Sequence, residues 1–494
     1  MRREGSPVSL RSPRVWVAAF VGAAWAASPA LAQTAPPDLR GAPDLRGAPD
    51  LRGADESIAE PADPEPEVAP KPRRKTGNLP ALTTYPRAAR LGLKGGPDPL
   101  AGPPGPTLAQ APPPAPRRPR REERPFDPVG IYAGNLRLTP YAEQSVGYAS
   151  NPLGSAGTAK ASAFSDTEIG VGLQSNWSRN ELTGSARLGY NEYFQARGAS
   201  APYGAGVVNY RLDASHDLSF DTEGRYRLGT QTNSQLGLGG VPTQKLTLVS
   251  NYGATLGATQ KFGDLSLGLH GTLDRVQYNG GSLATDDYAD YGLRLRASYR
   301  LSEALQPFAE VDGDARRYDK ALDASGYDRA SVGVAGRAGL RVSFSQMLTG
   351  EASAGYGARD YRDARLAPVG APLLDASLIW SATPLTTVTL RTSTTLQDAV
   401  VSGASADINR AYTINLDHAL TERIKLGLSA GLATDHYLGI DERDHSYNLG
   451  LTGEYHLSRE VVLKASLTHQ QFTSSTPGSS YKSDTAMVGV RLQR

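Results

Sequence analysis

Residues 291–301 read YGLRLRASYRL, with Leu293, Leu295, Ala297, Tyr299 and Leu301 apolar and Arg294, Arg296, Ser298 and Arg300 standing between them. A helix would scatter those arginines around its circumference. A strand sends successive side chains to opposite faces, so one face becomes hydrocarbon and the other carries three guanidinium groups. The same period of two returns again and again after residue 126. Eighteen segments show it, the first near 137–148 and the last near 482–492.

The two faces differ in kind. One carries Leu246, Leu248, Tyr252 and Leu256, then Leu265, Leu267, Leu269 and Leu273; the other carries Thr247, Asn251, Thr255 and Lys261, then Ser266, His270 and Asp274. Hydrocarbon on one side and water on the other is the environment this demands. In lipid every backbone group must be paired, and only a closed sheet achieves that without an edge. A charge on the lipid face near midplane would cost about 2–4 kcal/mol, so the arginines must look inward. The gaps between segments alternate between short turns, such as 262–264, 345–346 and 421–422, and longer loops, such as 149–162, 232–243 and 362–370. That rhythm fits tight turns on one side of a membrane and loops on the other. Aromatic residues near segment ends, Tyr141, Trp177, Tyr190, Tyr278, Tyr288, Tyr318, Tyr356, Trp380, Tyr412 and Tyr437, suit interfacial girdles. The pattern predicts an all-β fold, a transmembrane antiparallel up-and-down β-barrel of about 18 strands over residues 126–494. At that size a water-filled lumen is expected.

The first 125 residues have a different texture. Arg2, Arg3, Arg11 and Arg14 precede the apolar run VWVAAFVGAAWAA (15–27), and Ala30-Leu31-Ala32 supplies small residues for cleavage before Gln33. This reads as a signal peptide over 1–32, with Sec export. Residues 33–125 carry PDLRGA at 37–42, 43–48 and 49–54, then Pro-rich and charged stretches such as APPPAPRRPRREER (111–124). Such a chain buries too little apolar area to offset its entropy, so a disordered periplasmic segment is expected. Its basic runs, Arg73–Lys75 and Arg117–Arg124, either touch anionic partners or solubilise a spacer.

Charge and candidate chemistry narrow the function. The whole chain has a net charge of +2, and the barrel region alone holds 33 Lys and Arg against 37 Asp and Glu. No concentrated basic face marks a nucleic-acid binder. With no cysteine there are neither disulfides nor thiolate metal sites. The seven histidines show no HExxH or clustered ligand spacing, and no Ser/His/Asp constellation stands out. The expectation is therefore no enzyme, no catalytic or cofactor-binding residues, no cofactor and no metal, although His436 and His445 read as sharing a loop with Asp441, Glu442 and Asp444. Lumen-facing candidates are Arg294, Arg296, Arg300, Arg337, Arg341, Arg391, Lys425, Glu454, Lys464 and Arg491. They form either a selectivity eyelet for anionic solutes or a solvated wall with locally paired charges, the simpler account.

The stretch FDPVGIYAGNLRLTPYAEQSVGYASNP (126–152) resembles the entry motif of the putative β-barrel porin 2 family of outer-membrane proteins. The matching positions are Asp127, Pro128, Gly130, Ile131, Gly134, Leu138, Pro140, Gly147, Tyr148 and Asn151. The ending VGVRLQR (488–494) is similar to closures in that family. Ala149 and Ser150 depart from it, since relatives tend to have acidic residues there. The resemblance implies a barrel in the cell outer membrane with a transport-like role, and it transfers no ligand or catalytic residue. A porin-like channel for passive passage of small polar solutes is the expected function. An exit channel for exopolysaccharide secretion, or a structural or adhesive surface barrel, is the alternative. Expected partners are outer-membrane lipid, periplasmic chaperones and the barrel-assembly machinery, with polysaccharide or small polar solutes as cargo and no nucleic acid.

Overall fold

The computed structural model describes residues 126–494, apart from 158, 232–244, 280–286, 324, 346 and 400–402. The expected signal peptide (1–32) and Pro-rich segment (33–125) lie outside the described residues. Nineteen strands make one sheet. They are β1 (Ile131–Ala133), β2 (Leu136–Ala149), β3 (Ser162–Ser175), β4 (Glu181–Tyr193), β5 (Ala201–Asp213), β6 (Leu218–Gln231) and β7 (Thr247–Phe262). There follow β8 (Leu265–Asn279), β9 (Tyr288–Tyr299), β10 (Leu305–Tyr318), β11 (Ser331–Ser345), β12 (Leu348–Tyr361) and β13 (Val369–Thr383). The last are β14 (Thr386–Asp398), β15 (Ala406–Ala419), β16 (Ile424–Leu438), β17 (Arg443–His456), β18 (Val461–Ser474) and β19 (Tyr481–Gln493). From β2 onward each strand pairs antiparallel with the next, and β19 returns to β2 from Thr485↔Ala149 to Gln493↔Tyr141. Eighteen strands thus close a barrel, while β1 pairs only with the first residues of β2.

The ends of the barrel differ as the spacing predicts. One end has tight connections, such as the two residues between β7 and β8, where Gly263 takes a φ of +61° that a short hairpin requires. The other end has the longer ones, with fifteen residues between Gln231 and Thr247. The alternation lapses once. Gly439–Glu442 is no longer than the short turns on either side of it, Leu420–Arg423 and Leu457–Glu460.

Facing follows the alternation. Leu293 and Leu295 are 56% and 52% exposed, whereas Arg294 between them is 5% exposed. Side chains of the arginine face meet across non-adjacent strands: Arg296 on β9 reaches Glu351 on β12 at 2.9 Å, which only the concave inner side of a closed sheet permits. The outer surface is a belt of exposed Leu, Val, Ile, Tyr and Phe.

The expected girdle is only half present. Trp177, Tyr190, Tyr356, Trp380 and Tyr412 are exposed on the outer face, but Tyr278, Tyr288 and Tyr437 are buried inside, with Tyr318 packed against Tyr288. Tyr141 also turns inward and donates to Glu168 at 2.8 Å. His436 and His445 occupy β16 and β17 respectively, so they do not share a loop.

Candidate functional site

The inner wall is built by the polar half of each strand's repeat. Its densest part spans β9 to β13. Arg294 donates from Nε to Asp312 Oδ1 at 2.5 Å and lies 3.4 Å from Glu310. Arg337 pairs with Asp312 and with Asp375 at 3.3 Å. Arg296 bridges Glu310 at 3.4 Å and Glu351 at 2.9 Å, with its guanidinium 3.6 Å from the centroid of the Phe308 ring. Arg341 meets the other Glu351 oxygen at 2.7 Å. Each cation therefore faces a carboxylate on a neighbouring strand, and several carboxylates are shared by two guanidiniums. Burying single charges here would be prohibitive; burying them as a lattice is tolerable because each one is compensated.

The remaining sequence candidates fall elsewhere. Lys464 and Arg491 converge on Glu143 at 3.4 Å and 2.9 Å across the seam where β19 meets β2. Glu454 lies 3.6 Å from Lys464 and opposite Lys425 in the β16–β17 register. Arg391 stands between Ser377 and Thr413 on the same wall. Arg300 follows the end of β9, in the short turn, where it is exposed and 3.7 Å from an equally exposed Asp264.

Sequence reading missed three groups. The acidic partners Glu310, Asp312, Glu351 and Glu143 escaped because attention to a row of cations does not show which carboxylates cross-strand register brings to them. A second network joins Tyr203 to Asp166 at 2.7 Å and to Glu168 at 3.1 Å, with Arg187 3.6 Å from Glu168. Only the one-in-two spacing of Asp166 and Glu168 on β3 hints at it. The third group is acidic. Asp407, Asp435 and Asp444 lie together on β15, β16 and β17 near the long-loop end, and no cation among the described residues is within ion-pair distance of them. Gln397 donates to Asp407 at 3.3 Å and Asn409 to Asp435 at 2.5 Å.

Above this wall three of the longer loops are clasped together. Arg329 donates to Asp323 at 2.5 Å and to the carbonyls of Ala399 and Ala404, at 2.5 Å and 3.0 Å, tying the β10–β11 loop to the β14–β15 loop. Burial pushes the Asp323 carboxyl up, but the amide of Tyr327 and the Arg329 guanidinium outweigh it and hold it below the usual carboxylate range. In the β12–β13 loop the Arg365 side chain grips Asp363, and the amides of Arg365 and Asp328 add to it, holding that carboxyl well below its usual range. No cluster of three or more His, Cys, Asp or Glu among the described residues has the geometry of a metal site. The wall is a field of mutually compensated charges.

Residues 124–494 match the family model described as putative beta-barrel porin 2. Solved structures similar to the chain include the outer membrane protein OpdK from Pseudomonas aeruginosa, at 11% identity and a TM-score of 0.39, covering 72% of this chain and 99% of that one. OccAB3 from Acinetobacter baumannii matches at 12% identity and a TM-score of 0.34, covering 73% and 99%. The copper transporter OprC matches at 12% identity and a TM-score of 0.38, covering 74% and 84%. No curated protein matches.

Proposed function

Because the chain belongs to the putative β-barrel porin 2 family of outer-membrane barrels, we propose that it is a porin-like channel passing small polar solutes by diffusion. One observation carries the reading. The middle of the inner face carries paired charges over many strands while the outer face is apolar, as a hydrated path through lipid requires. The candidate cations are compensated by carboxylates, which favours size over charge as the basis of selection and argues against an anion eyelet. The N-terminal segment is assigned to the periplasm, on the side of the short turns.

Planar-bilayer recording tests this. The folded protein is expected to give discrete conductance steps with a reversal potential close to zero in asymmetric potassium chloride. A strongly anion-selective potential would restore the eyelet. A folded barrel that conducts neither with nor without residues 33–125 would overturn the channel.

A further inference from the structure

Three strands that turn acids into the lumen turn bases away from it. On β15, β16 and β17 the acids Asp407, Asp435 and Asp444 belong to the inner face. Arg410, His436, Arg443 and His445 each stand an odd number of positions from one of them, so strand parity sends all four outward. Tyr412 and Tyr447, two residues from Arg410 and His445, are 44% and 46% exposed on that outer surface. Register gathers the bases into one patch. Arg410 lies opposite Thr434, Thr434 lies opposite His445, and His436 lies opposite Arg443. The patch is three strands wide, about 10 Å from the first backbone to the third.

These cations are not neutralised by the protein. Among the described residues Arg410 has no carboxylate within ion-pair distance, and Arg443 reaches only Asp441, at 3.9 Å with both side chains largely exposed. Outward Arg275 on β8 is different, because Asp319 holds it at 2.6 Å. The acids next to the patch in sequence cannot serve it, since parity puts them on the opposite face of the sheet. Its position is also particular. It lies at the long-loop end, where Gly439–Glu442 is only a short connection. Directly beneath it the apolar belt begins, with Tyr412 and Tyr447 followed by Ile414 and Leu449. Aromatic residues at the top of such a belt mark the level of lipid headgroups.

We propose that this patch binds the phosphorylated headgroup of a lipid in the outer leaflet. Arg410 and Arg443 take the phosphate oxygens, and His436, His445 and the Thr434 hydroxyl add donors around them. The longer loops of such barrels face outside, which puts the patch in that leaflet. Phosphate is the fitting anion because a guanidinium fork matches its oxygens in pairs. A lipid is the fitting source because its chains can lie down the belt over Tyr412 and Tyr447, which a free phosphate leaves uncovered. The site is on the outside of the barrel and does not depend on conduction through its lumen.

Native mass spectrometry of the full chain, folded in a neutral maltoside detergent and titrated with diphosphoryl lipid A, tests this. Lipid A should be retained saturably, and phosphatidylcholine at least about tenfold more weakly. Arg410→Gln combined with Arg443→Gln should weaken lipid A retention by about tenfold or more, since two charged contacts are lost. Arg275→Gln should leave it unchanged, because that guanidinium is already committed to Asp319. Heat-dependent mobility on a gel shows that each variant is folded, and two arms of the test need only the native chain. Equal retention of lipid A and phosphatidylcholine by the native chain overturns the site, as does undiminished lipid A retention in the folded double variant. Displacement of lipid A by millimolar inorganic phosphate would make it a site for free anions and overturn the lipid assignment. A barrel that retains lipid A in this way but carries no current loses the channel reading and keeps the lipid site.

Discussion

At the scale of single residues, the wall separates charges that hold the barrel from charges that merely decorate it. Asp312 is 1% exposed and compensates both Arg294 and Arg337. Asp312→Ala should cost about 1–3 kcal/mol, because two buried guanidiniums lose their nearest carboxylate and are left with Glu310 and Asp375 alone. Arg300→Ala should move stability by no more than about 0.5 kcal/mol, since its turn-end pair is screened by solvent. Leu295→Arg, on the outer face, should cost about 2–4 kcal/mol near the bilayer midplane. Urea unfolding of the protein refolded into lipid vesicles reads all three, and equal losses for Asp312→Ala and Arg300→Ala would remove the distinction. The sequence showed that Arg294 and Arg296 face away from Leu293 and Leu295, because that is a matter of parity. It did not show that Arg296 ends on Glu351, 55 positions away, because that depends on the registers of three successive strand pairs.

At the scale of elements, strand type and facing were legible wherever one face is uniformly apolar, as on β8, β9, β17 and β18. Aromatic residues were read less well. Tyrosine suits an interface, but it also serves an inner wall that supplies a carboxylate for its hydroxyl, as Glu168 does for Tyr141. Nothing local separates the two environments, and the parity of each strand decides. Loops were legible in length alone; the clasp made by Arg329 joins segments about 70 residues apart. Its pH dependence follows from Asp323 and Asp363, whose carboxyls are held below the ordinary range. A carboxyl depressed in the closed state gives a contribution present above its ordinary pKa and lost as pH falls through the lower closed-state value. The clasp should therefore be tight at neutral pH and loosen only below about pH 4. A spin label at exposed Leu322 should gain mobility in that acid range and be mobile at every pH in Asp323→Asn. A label equally mobile at pH 7 and pH 3 in the unaltered clasp would contradict this.

For the molecule as a whole, the sensitive joint is where the two ends of the barrel sequence meet. β19 covers only Tyr141–Ala149 of β2, and Arg494 adds one more bond, to the Pro140 carbonyl. The first residues of β2 depend on the short β1 instead. Across this seam the charged contacts converge on Glu143, whose fully buried side chain compensates Arg491 and Lys464. Glu143→Leu should cost about 3–5 kcal/mol, and the loss should be local. Amide exchange should quicken on β2 and β19 well before it does on β9–β13, whose lattice is untouched, because partial opening begins where bonding is thinnest. Replacing all three together, with Arg491→Leu and Lys464→Met, should recover most of the stability, since removing a whole buried set is far less costly than stranding part of it. If the single variant instead quickens exchange evenly around the ring, the barrel opens as one unit and the seam has no special standing.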